Sequence, residues 1–543
     1  MKNELPEAAE KLVQALYLPS QSLWQRFDLR ESPHDLIRKL ELTKNSAVIP
    51  DLLPLLLCAD QKISVAAAKA VHSLMRHIPL SEYPNFDNSV RQSYSNWKAR
   101  REPWYRIKSG DITRLASIAD FAVSILGIAS CHHNGFVREE AIRRLALTRN
   151  GSELPFLLMR LNDWVEVNRK TARDLVLGRT ASDYAPHFVS CLPLVLHLKT
   201  FLRTDQSDIV SRIESVLESP QARSALSLGF ESSDRAVRWF CYERILSTTK
   251  PPDHSIMQRA FADHDPYLRL RAVGRLQDAL PNDAYRPFLD QARKDPSTPV
   301  RRKAMQLAVE KYPHDAEQEF RSALLDANAG IREAGRYFFR NSQTLDLRAF
   351  YLATTQQSAG RKLIAAISGL GETGGMSDSI LLQPFLESPG PGIRLAAIRS
   401  LAILNPTQYT DHFVRAISDS SAKVSRAAAL IVAKKVNLVD RDRLWAVFEE
   451  SQYLHGKGQA LFLLARISKW YSLTFLLLSL TEHNDHLNGL SKTYLRRWLA
   501  RFNRSFSAPT TSQVVRLRKI LETHDLLLES QMKDDLISIL KRY

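Results

Sequence analysis

Glycine is scarce in this chain, with 19 among 543 residues. Tight β-hairpin turns depend on residues that adopt positive φ angles, above all glycine, so a protein built from many hairpins is disfavoured. The balance of the composition therefore favours helices over sheets. A chain of this length is also too long for one compact core, which predicts either several domains or one extended repeat array.

Cysteine is rare too, and no two of the four cysteines lie at the spacing of a metal-binding motif: Cys58, Cys131, Cys191 and Cys241. We expect them to be buried free thiols in a reducing compartment. Long apolar runs are missing as well. The most apolar stretch, residues 473–480, is far shorter than the roughly 20 residues that span a bilayer. These absences predict a cytoplasmic protein.

Motifs that carry catalysis are also missing. The cluster Cys131–His133 has no evident partner ligands for a metal. The glycines of 369–375 fit the end of a helix and its turn better than a phosphate-binding loop. We therefore predict a protein that is not an enzyme, with no catalytic residues, no metal and no cofactor.

Charge of one sign is in excess. The chain has 75 Lys and Arg against 58 Asp and Glu, a net charge of +17. Such an excess favours an anionic partner, whether an acidic protein, a nucleic acid or a membrane surface.

The sequence does contain an internal repeat of about 31 residues. A polar turn precedes an aliphatic anchor residue, which is often followed by arginine. A small residue stands four positions after the anchor and an apolar residue stands eight positions after it. The clearest anchors are Val237, Leu268, Val300, Ile331, Ile393 and Val424, with less regular units at Lys362, Gly456 and Leu487 and looser ones at Ile63, Val137 and Val167.

Positions 0, 4 and 8 of this pattern share one face of an α-helix, so they predict a stripe that is buried against neighbouring repeats. A small residue at position 4 lets the adjacent helix approach closely. About 31 residues have room for two short helices and their turns. One such pair cannot bury its own apolar face, but a stack of pairs can.

The pattern resembles HEAT repeats, in particular the short variety also found in phycobilin-lyase-like proteins, and the likeness is best over residues 232–499. The resemblance implies an all-α fold, an α-solenoid forming a right-handed superhelix of helix pairs, with an irregular N-terminal part and C-terminal capping helices. It also implies a ladder of Asp–Arg pairs between repeats, built on the arginine after each anchor: Arg138, Arg238, Arg269, Arg301, Arg332 and Arg394. Because Ser425 and Asn488 replace that arginine, the ladder should weaken towards the C-terminus.

Two enzyme classes are built from similar repeats. Metal-dependent HEAT hydroxylases use His-Glu pairs, and no histidine is followed by glutamate in this sequence. DNA alkylation-repeat glycosylases use Trp and Asp on their concave face. Trp164 with Asp163 and Trp239 with Asp234 are conceivable counterparts, but their spacing transfers no role.

The places where the repeat fails divide the chain into five predicted segments. They are N-terminal helices with an early HEAT-like unit (1–77), a basic, aromatic, loop-rich insertion (78–118), degenerate HEAT-like helices (119–231), the regular array (232–499) and capping helices (500–543).

Two sets of residues are candidate contact sites. Helices that carry the anchors line the concave side of HEAT stacks, and basic residues expected to be exposed there are Lys170, Arg173, Arg271, Arg275, Arg302, Lys303, Arg336, Arg340, Arg399 and Arg426. Basic residues interleaved with aromatics suit nucleic acid, and that set is Arg91, Trp97, Lys98, Arg100, Arg101, Trp104, Tyr105, Arg106, Lys108, Arg496, Arg497, Arg501 and Arg504. For residues 91–108 the plain alternative is a loop whose aromatics pack onto the solenoid while its charges face solvent, and for the other residues it is ordinary solvated charge.

Two functional hypotheses follow. The first is a non-enzymatic scaffold or adaptor that binds an acidic protein partner through its basic concave face. The alternative is a solenoid that binds DNA or RNA through the phosphate backbone.

Overall fold

A computed structural model describes residues 5–17, 32–92, 101–201, 203–248, 254–279, 284–504, 507–523 and 527–543. Over these ranges the protein contains α-helices, short 3-10 turns and no β-strand. The chain divides into two units, Met1–Val300 and Arg301–Tyr543. Each unit is a stack of helix pairs, so the predicted all-α solenoid class is confirmed. The handedness, the repeat subtype and the five segment boundaries stay predictions. Among the predicted contact residues, Lys170 and Arg399 are exposed, whereas Arg336 is buried.

The first unit contains helices α1 to α19. They are α1 (Glu7–Leu16), α2 (Pro33–Leu42), α3 (Ile49–Leu52), α4 (Gln61–Met75), α5 (Tyr83–Gln92), α6 (Glu102–Tyr105), α7 (Asp111–Ala116), α8 (Ala122–Ala129), α9 (Gly135–Leu145), α10 (Leu154–Arg160), α11 (Glu166–Leu177), α12 (Ala185–Ser190), α13 (Leu192–His197), α14 (Ser207–Glu218), α15 (Arg223–Leu228), α16 (Arg235–Thr248), α17 (His254–Phe261), α18 (Pro266–Ala279) and α19 (Tyr285–Ala292).

The division into units falls inside α20 (Thr298–Lys311). The second unit continues with α21 (Ala316–Ala323), α22 (Ala329–Ser342), α23 (Leu347–Gln357), α24 (Gly360–Thr373), α25 (Ser379–Leu382), α26 (Pro391–Leu404), α27 (Thr410–Arg415), α28 (Ala422–Ala433), α29 (Arg441–Glu450), α30 (Leu454–Leu464), α31 (Lys469–Leu478), α32 (Asp485–Ala500), α33 (Thr511–Thr523) and α34 (Ser530–Leu540). One core cluster runs from Leu324 to Leu540 within this unit.

The anchor pattern locates the buried stripe of the repeat helices. Val237, Leu268, Val300, Ile331 and Val424 are buried, as are the small residues four positions after them. Gly335 shows why that position is small. A Cβ there would lie 2.7 Å from the carbonyl oxygen of Phe320 and 3.0 Å from Leu324 Cδ2, so α22 packs directly against α21 and its C-terminal turn.

The unit predicted around Val167 is one residue out of register. Val167 is 52% exposed, whereas Asn168 is fully buried and donates its side-chain amide to the carbonyl oxygen of Gly135 at 3.2 Å. Ala172 and Val176, four and eight positions after Asn168, are buried as well. The anchor is therefore Asn168, whose side-chain amide nitrogen finds a hydrogen-bond acceptor in its buried position.

An arginine ladder connects successive repeats in each unit. Arg238 donates from Nε to Asp263 Oδ2 at 2.9 Å and from Nη2 to Oδ1 at 3.1 Å, while Nη1 donates to the carbonyl oxygen of Ser232 at 2.8 Å. The same two-point contact with an aspartate recurs at Arg138–Asp163, Arg269–Asp295, Arg301–Asp326 and Arg394–Asp419. The ladder implied by the HEAT resemblance is thus confirmed at these positions.

The ladder changes where the sequence lacks one of its two partners. Gln357 occupies the position at which an aspartate would accept from Arg332, and Arg332 pairs instead with Glu372, with Nε at 3.0 Å from Oε2. Towards the C-terminus, Ser425 donates to the carbonyl oxygen of Ile417, and Asn488 donates to that of Glu482. Both replacements leave neutral hydrogen bonds, so the ladder weakens there as expected.

Candidate functional site

The basic, aromatic segment before α7 is packed into the first unit more deeply than predicted. Trp97, Lys98 and Arg100 lie outside the described residues. Arg101 is buried and donates to Asp51 from Nε at 2.7 Å and from Nη2 at 2.6 Å, and Trp104 is 1% exposed. The expectation that Arg101 and Trp104 face a ligand is therefore wrong, because both side chains are buried in the protein.

The remaining residues of the nucleic-acid set belong to both units and have different surroundings. Arg91 is half-buried and pairs with Asp87, the Tyr105 ring packs on His133, and Arg106 pairs with Glu102. Lys108 is exposed. Near the C-terminus, Arg496 pairs with Glu529, whereas Arg497, Arg501 and Arg504 are exposed. Their part in nucleic-acid binding stays a prediction.

The predicted contact residues of the first unit have different surroundings. Lys170 is exposed and pairs with Glu166 at 2.7 Å, and Arg173 pairs with Asp208. Arg271 is exposed and stacks on two aromatic rings, while Arg275 is half-buried.

In the second unit one of the predicted contact residues is buried instead of exposed. Arg336 is 5% exposed and pairs with Glu333 at 2.6 Å and with Glu372, so the expectation that it is exposed is wrong. Burial would lower the pKa of Arg336, but the carboxylates of Glu333 and Glu372 outweigh it and raise that pKa. Arg340 is exposed and also pairs with Glu333. Arg302 and Lys303 are exposed on α20.

The two other predicted residues, Arg399 on α26 and Arg426 on α28, lie on neighbouring helices with apolar residues around them. The two helices pack against each other, and the side chains two, six and ten residues after each anchor are exposed, except for Leu395, which is half-buried. On α26 these positions hold Leu395, Arg399 and Ile403, and on α28 they hold Arg426, Leu430 and Lys434. At equivalent positions, counted from the anchor of each helix, one helix thus has an apolar residue and the other a basic one. We call these six residues the mixed face.

The basic residues of the mixed face are exposed and have no acidic partner. Within the part of the chain that the structure describes, no carboxylate oxygen lies within 4 Å of Arg399, Arg426 or Lys434. Two of the three apolar residues are exposed too, with 63% of Ile403 and 50% of Leu430 accessible, and Leu395 is half-buried. A surface with unpaired cations and exposed aliphatic side chains can bind an anionic and partly apolar ligand.

The sequence analysis found Arg399 and Arg426 but missed Ile403, Leu430 and Lys434. The repeat pattern contains a feature that could have identified the two apolar residues. Ile403 and Leu430 are large apolar residues at positions ten and six after the anchor, outside the stripe that the fold buries. An apolar residue at a position that repeat geometry exposes is the pattern that would have identified them.

The described ranges contain no group of three or more His, Cys, Asp or Glu side chains arranged to hold a metal ion. Within the same ranges, no helix is both long and apolar enough to cross a membrane.

Comparison with known proteins gives similarity to solved structures alone. No family model and no curated protein matches the chain. Among solved structures, Kap95p in a complex with RanGDP is 10% identical with a TM-score of 0.34, over 91% of this chain and 66% of that one. Kap121p bound to Ste12p is 13% identical with a TM-score of 0.24, over 99% of this chain and 55% of that one. Importin beta is 12% identical with a TM-score of 0.26, over 98% of this chain and 86% of that one. The chain thus spans less than two thirds of the length of the two Kap proteins.

Proposed function

We propose that this protein is a non-catalytic scaffold that binds an acidic protein partner through the mixed face of its second unit. The observation that carries the proposal is the alternation of apolar and basic residues on the exposed sides of α26 and α28. An ordinary solvated helix face has no reason to expose Ile403 and Leu430 beside three cations. A binding face gains from both kinds of residue.

The cations of the mixed face favour an acidic partner. Arg399, Arg426 and Lys434 spread positive charge over two helices, and each one is available for a new ion pair. Charge complementarity of this kind speeds association and excludes partners of like charge. The excess of basic residues in the whole chain acts in the same direction.

The apolar residues favour a protein over a nucleic acid. Burying exposed aliphatic surface contributes about 25 cal/mol per Å², and a phosphate backbone offers little apolar surface in return. Ile403 and Leu430 are exposed on two helices that pack against each other, and apolar residues of this kind can receive the apolar stripe of an amphipathic helix. We infer that the partner presents an amphipathic segment with acidic residues beside its apolar stripe.

Selection from a random peptide library tests this proposal. Displayed peptides of 16 residues are selected on the purified full chain, and binding of enriched peptides is measured by fluorescence polarisation. We expect enriched sequences to combine Asp or Glu with apolar residues at helical spacing. Replacing both Arg399 and Arg426 with Glu should weaken their binding about 100-fold, because like charges then face each other.

The matched control is the pair Arg415→Glu and Arg441→Glu, on the neighbouring helices α27 and α29, where both arginines are exposed. This variant should bind the peptides as the unchanged protein does. Enrichment of peptides without acidic residues, or equal loss of binding in both variants, would contradict the proposal. Binding of labelled oligonucleotides that falls steeply with salt, and loss of it in the Arg399→Glu and Arg426→Glu variant, would favour the nucleic-acid alternative.

A further inference from the structure

Four side chains of the first unit form a stack across two anchor helices. Arg235 and Trp239 lie one turn apart on α16, and Tyr267 and Arg271 lie one turn apart at the start of α18. The Cζ atom of Arg235 is 5.1 Å from the centre of the Tyr267 ring. The Cζ atom of Arg271 is 5.6 Å from that ring and 4.6 Å from the centre of the Trp239 ring. Cations and rings therefore alternate, and we call these four residues the arginine stack.

The stack holds its arginines in place while leaving their charge available. A guanidinium that packs on an aromatic ring uses its face and keeps the N–H groups of its edge for hydrogen bonds. Arg271 is exposed, and no carboxylate oxygen of the described residues lies within 4 Å of its guanidinium. Arg235 has one distant carboxylate, Asp265, at 3.9 Å.

Other ring-stacked arginines of this unit show what is different about Arg271. Arg259 stacks on Phe230 and pairs with Glu231. Arg244 stacks on Phe240 and pairs with Glu214 and Glu218. In those cases an acid of the same unit occupies the guanidinium edge. At Arg271 that place is open to a ligand.

We propose that Arg271, supported by Arg235, binds a single oxyanion group carried by a peptide, either a carboxylate or a phosphate monoester. Arginine is suited to both groups, because its planar fork donates two parallel hydrogen bonds to two oxygens. The exposed ring of Tyr267, 46% accessible, offers an apolar surface to the side chain that carries the anion, whereas Trp239 is buried beneath the guanidinium. This site lies in the first unit and shares no residue with the mixed face, so either proposal can fail without the other.

Carboxylates around the stack favour a peptide over a nucleic acid. Asp265 lies beside Arg235, Asp234 accepts from the backbone N–H of Ala236 at 2.8 Å, and Glu231 pairs with Arg259. A chain of phosphates that passed Arg271 would meet these negative charges, which repel it. One isolated anionic group avoids them.

Fluorine NMR of the full chain, with its eight tryptophans replaced by 5-fluorotryptophan, tests the proposal. The resonance of Trp239 is assigned by its loss in Trp239→Phe. The probes are a hexapeptide with one phosphoserine, the same peptide with glutamate, the same peptide with serine, and a 12-residue oligothymidylate. We expect the phosphoserine or the glutamate peptide to shift the Trp239 resonance saturably and the serine peptide to leave it unchanged. Whichever of these two peptides binds more tightly shows whether the site prefers a phosphate monoester or a carboxylate.

Arg271→Gln should weaken that binding about tenfold or more, because the charged fork is lost. Arg271→Lys keeps the positive charge and should still bind the peptide more weakly than arginine does. This difference distinguishes two-point hydrogen bonding by the guanidinium from simple attraction between opposite charges. Arg259→Gln is the matched control and should leave the affinity unchanged. The proposal is overturned if neither anionic peptide shifts the resonance, if Arg271→Gln binds as well as the unchanged protein, or if the oligothymidylate alone binds.

Discussion

Replacing Asp163 with alanine is expected to destabilise the first unit by about 3 to 5 kcal/mol, the cost of removing one partner from a buried ion pair. Asp163 accepts from Arg138 at 2.8 and 2.7 Å and from Arg160 at 3.1 Å. All three side chains are buried. The alanine variant leaves the guanidinium of Arg138 with no carboxylate and that of Arg160 with Asp87 alone.

Hydrogen exchange measured on amides of α9 to α11 reports the free energy of opening of this region, without assuming that the whole chain unfolds at once. Arg138→Met added to Asp163→Ala should restore part of the loss, because the stranded guanidinium is then absent. Glu166→Ala removes an exposed pair with Lys170 and should leave exchange unchanged. Equal exchange in Asp163→Ala and Glu166→Ala would show that the buried cluster contributes nothing.

The same cluster of Asp163, Arg138 and Arg160 makes the stability of the first unit depend on pH. Burial alone would raise the pKa of Asp163, but Arg138 and Arg160 outweigh it and hold that pKa well below its usual range. A carboxylate with a depressed pKa in the folded state stabilises the fold above its unfolded pKa, which is near 4. That contribution is lost as the pH falls below this value.

The repeat could be predicted from the sequence because its buried positions follow simple spacing. Leu268, Ala272 and Leu276 share one helix face, and all three are fully buried in the fold. The spacing failed at α11, where two valines stand beside the true anchor, Asn168. Its burial depends on a hydrogen bond to Gly135 in the preceding repeat, and no rule based on apolar residues detects such a contact.

The site was harder to predict because exposure depends on partners that are distant in the chain. Arg101 is buried by Asp51, which lies 50 residues earlier, and Arg336 by Glu372, which lies 36 residues later. The sequence shows that these arginines are basic and leaves open whether an acid covers them. Arg399 and Arg426 have no acid beside them, because the helix packed beside each one has a leucine at the equivalent position, Leu430 and Leu395 respectively.

Acidification from about pH 6.5 to about pH 4.5 is expected to cost the region around α9 roughly 2 to 3 kcal/mol through His132, at about 1.4 kcal/mol for each pH unit. Burial, followed by the charges of His133 and Arg138, lowers the pKa of His132 from 6.5 to about 3. A histidine with a lowered folded pKa binds more protons when unfolded. Its contribution to stability is therefore complete above pH 6.5 and declines as the pH falls towards 3.

The hydrogen bond that His132 accepts at Nδ1 supports this direction, although the bond from Nε2 to Trp104 acts against it. Nε2 lies 3.2 Å from the carbonyl oxygen of Trp104, which can only accept, so Nε2 carries the proton. Nδ1 then accepts from the backbone N–H of Asn134 at 3.1 Å. Protonation of Nδ1 removes that acceptor and places a charge in a buried site, beside the ring of His133 and near Arg138.

Hydrogen exchange of the α9 amides at several pH values checks this prediction, with each rate corrected for the intrinsic effect of pH. In His132→Gln the side chain stays neutral, so the decline between pH 6.5 and 4.5 should shrink to the part that His133 contributes. Asp163 contributes little to the decline in this pH range, because the stabilisation that it provides is lost only below about pH 4. His314→Gln, at an exposed turn of the second unit, should keep the full decline. An unchanged decline in His132→Gln would assign the acid sensitivity to groups other than His132, with His133 as the nearest candidate, because burial and Arg138 lower its pKa as well.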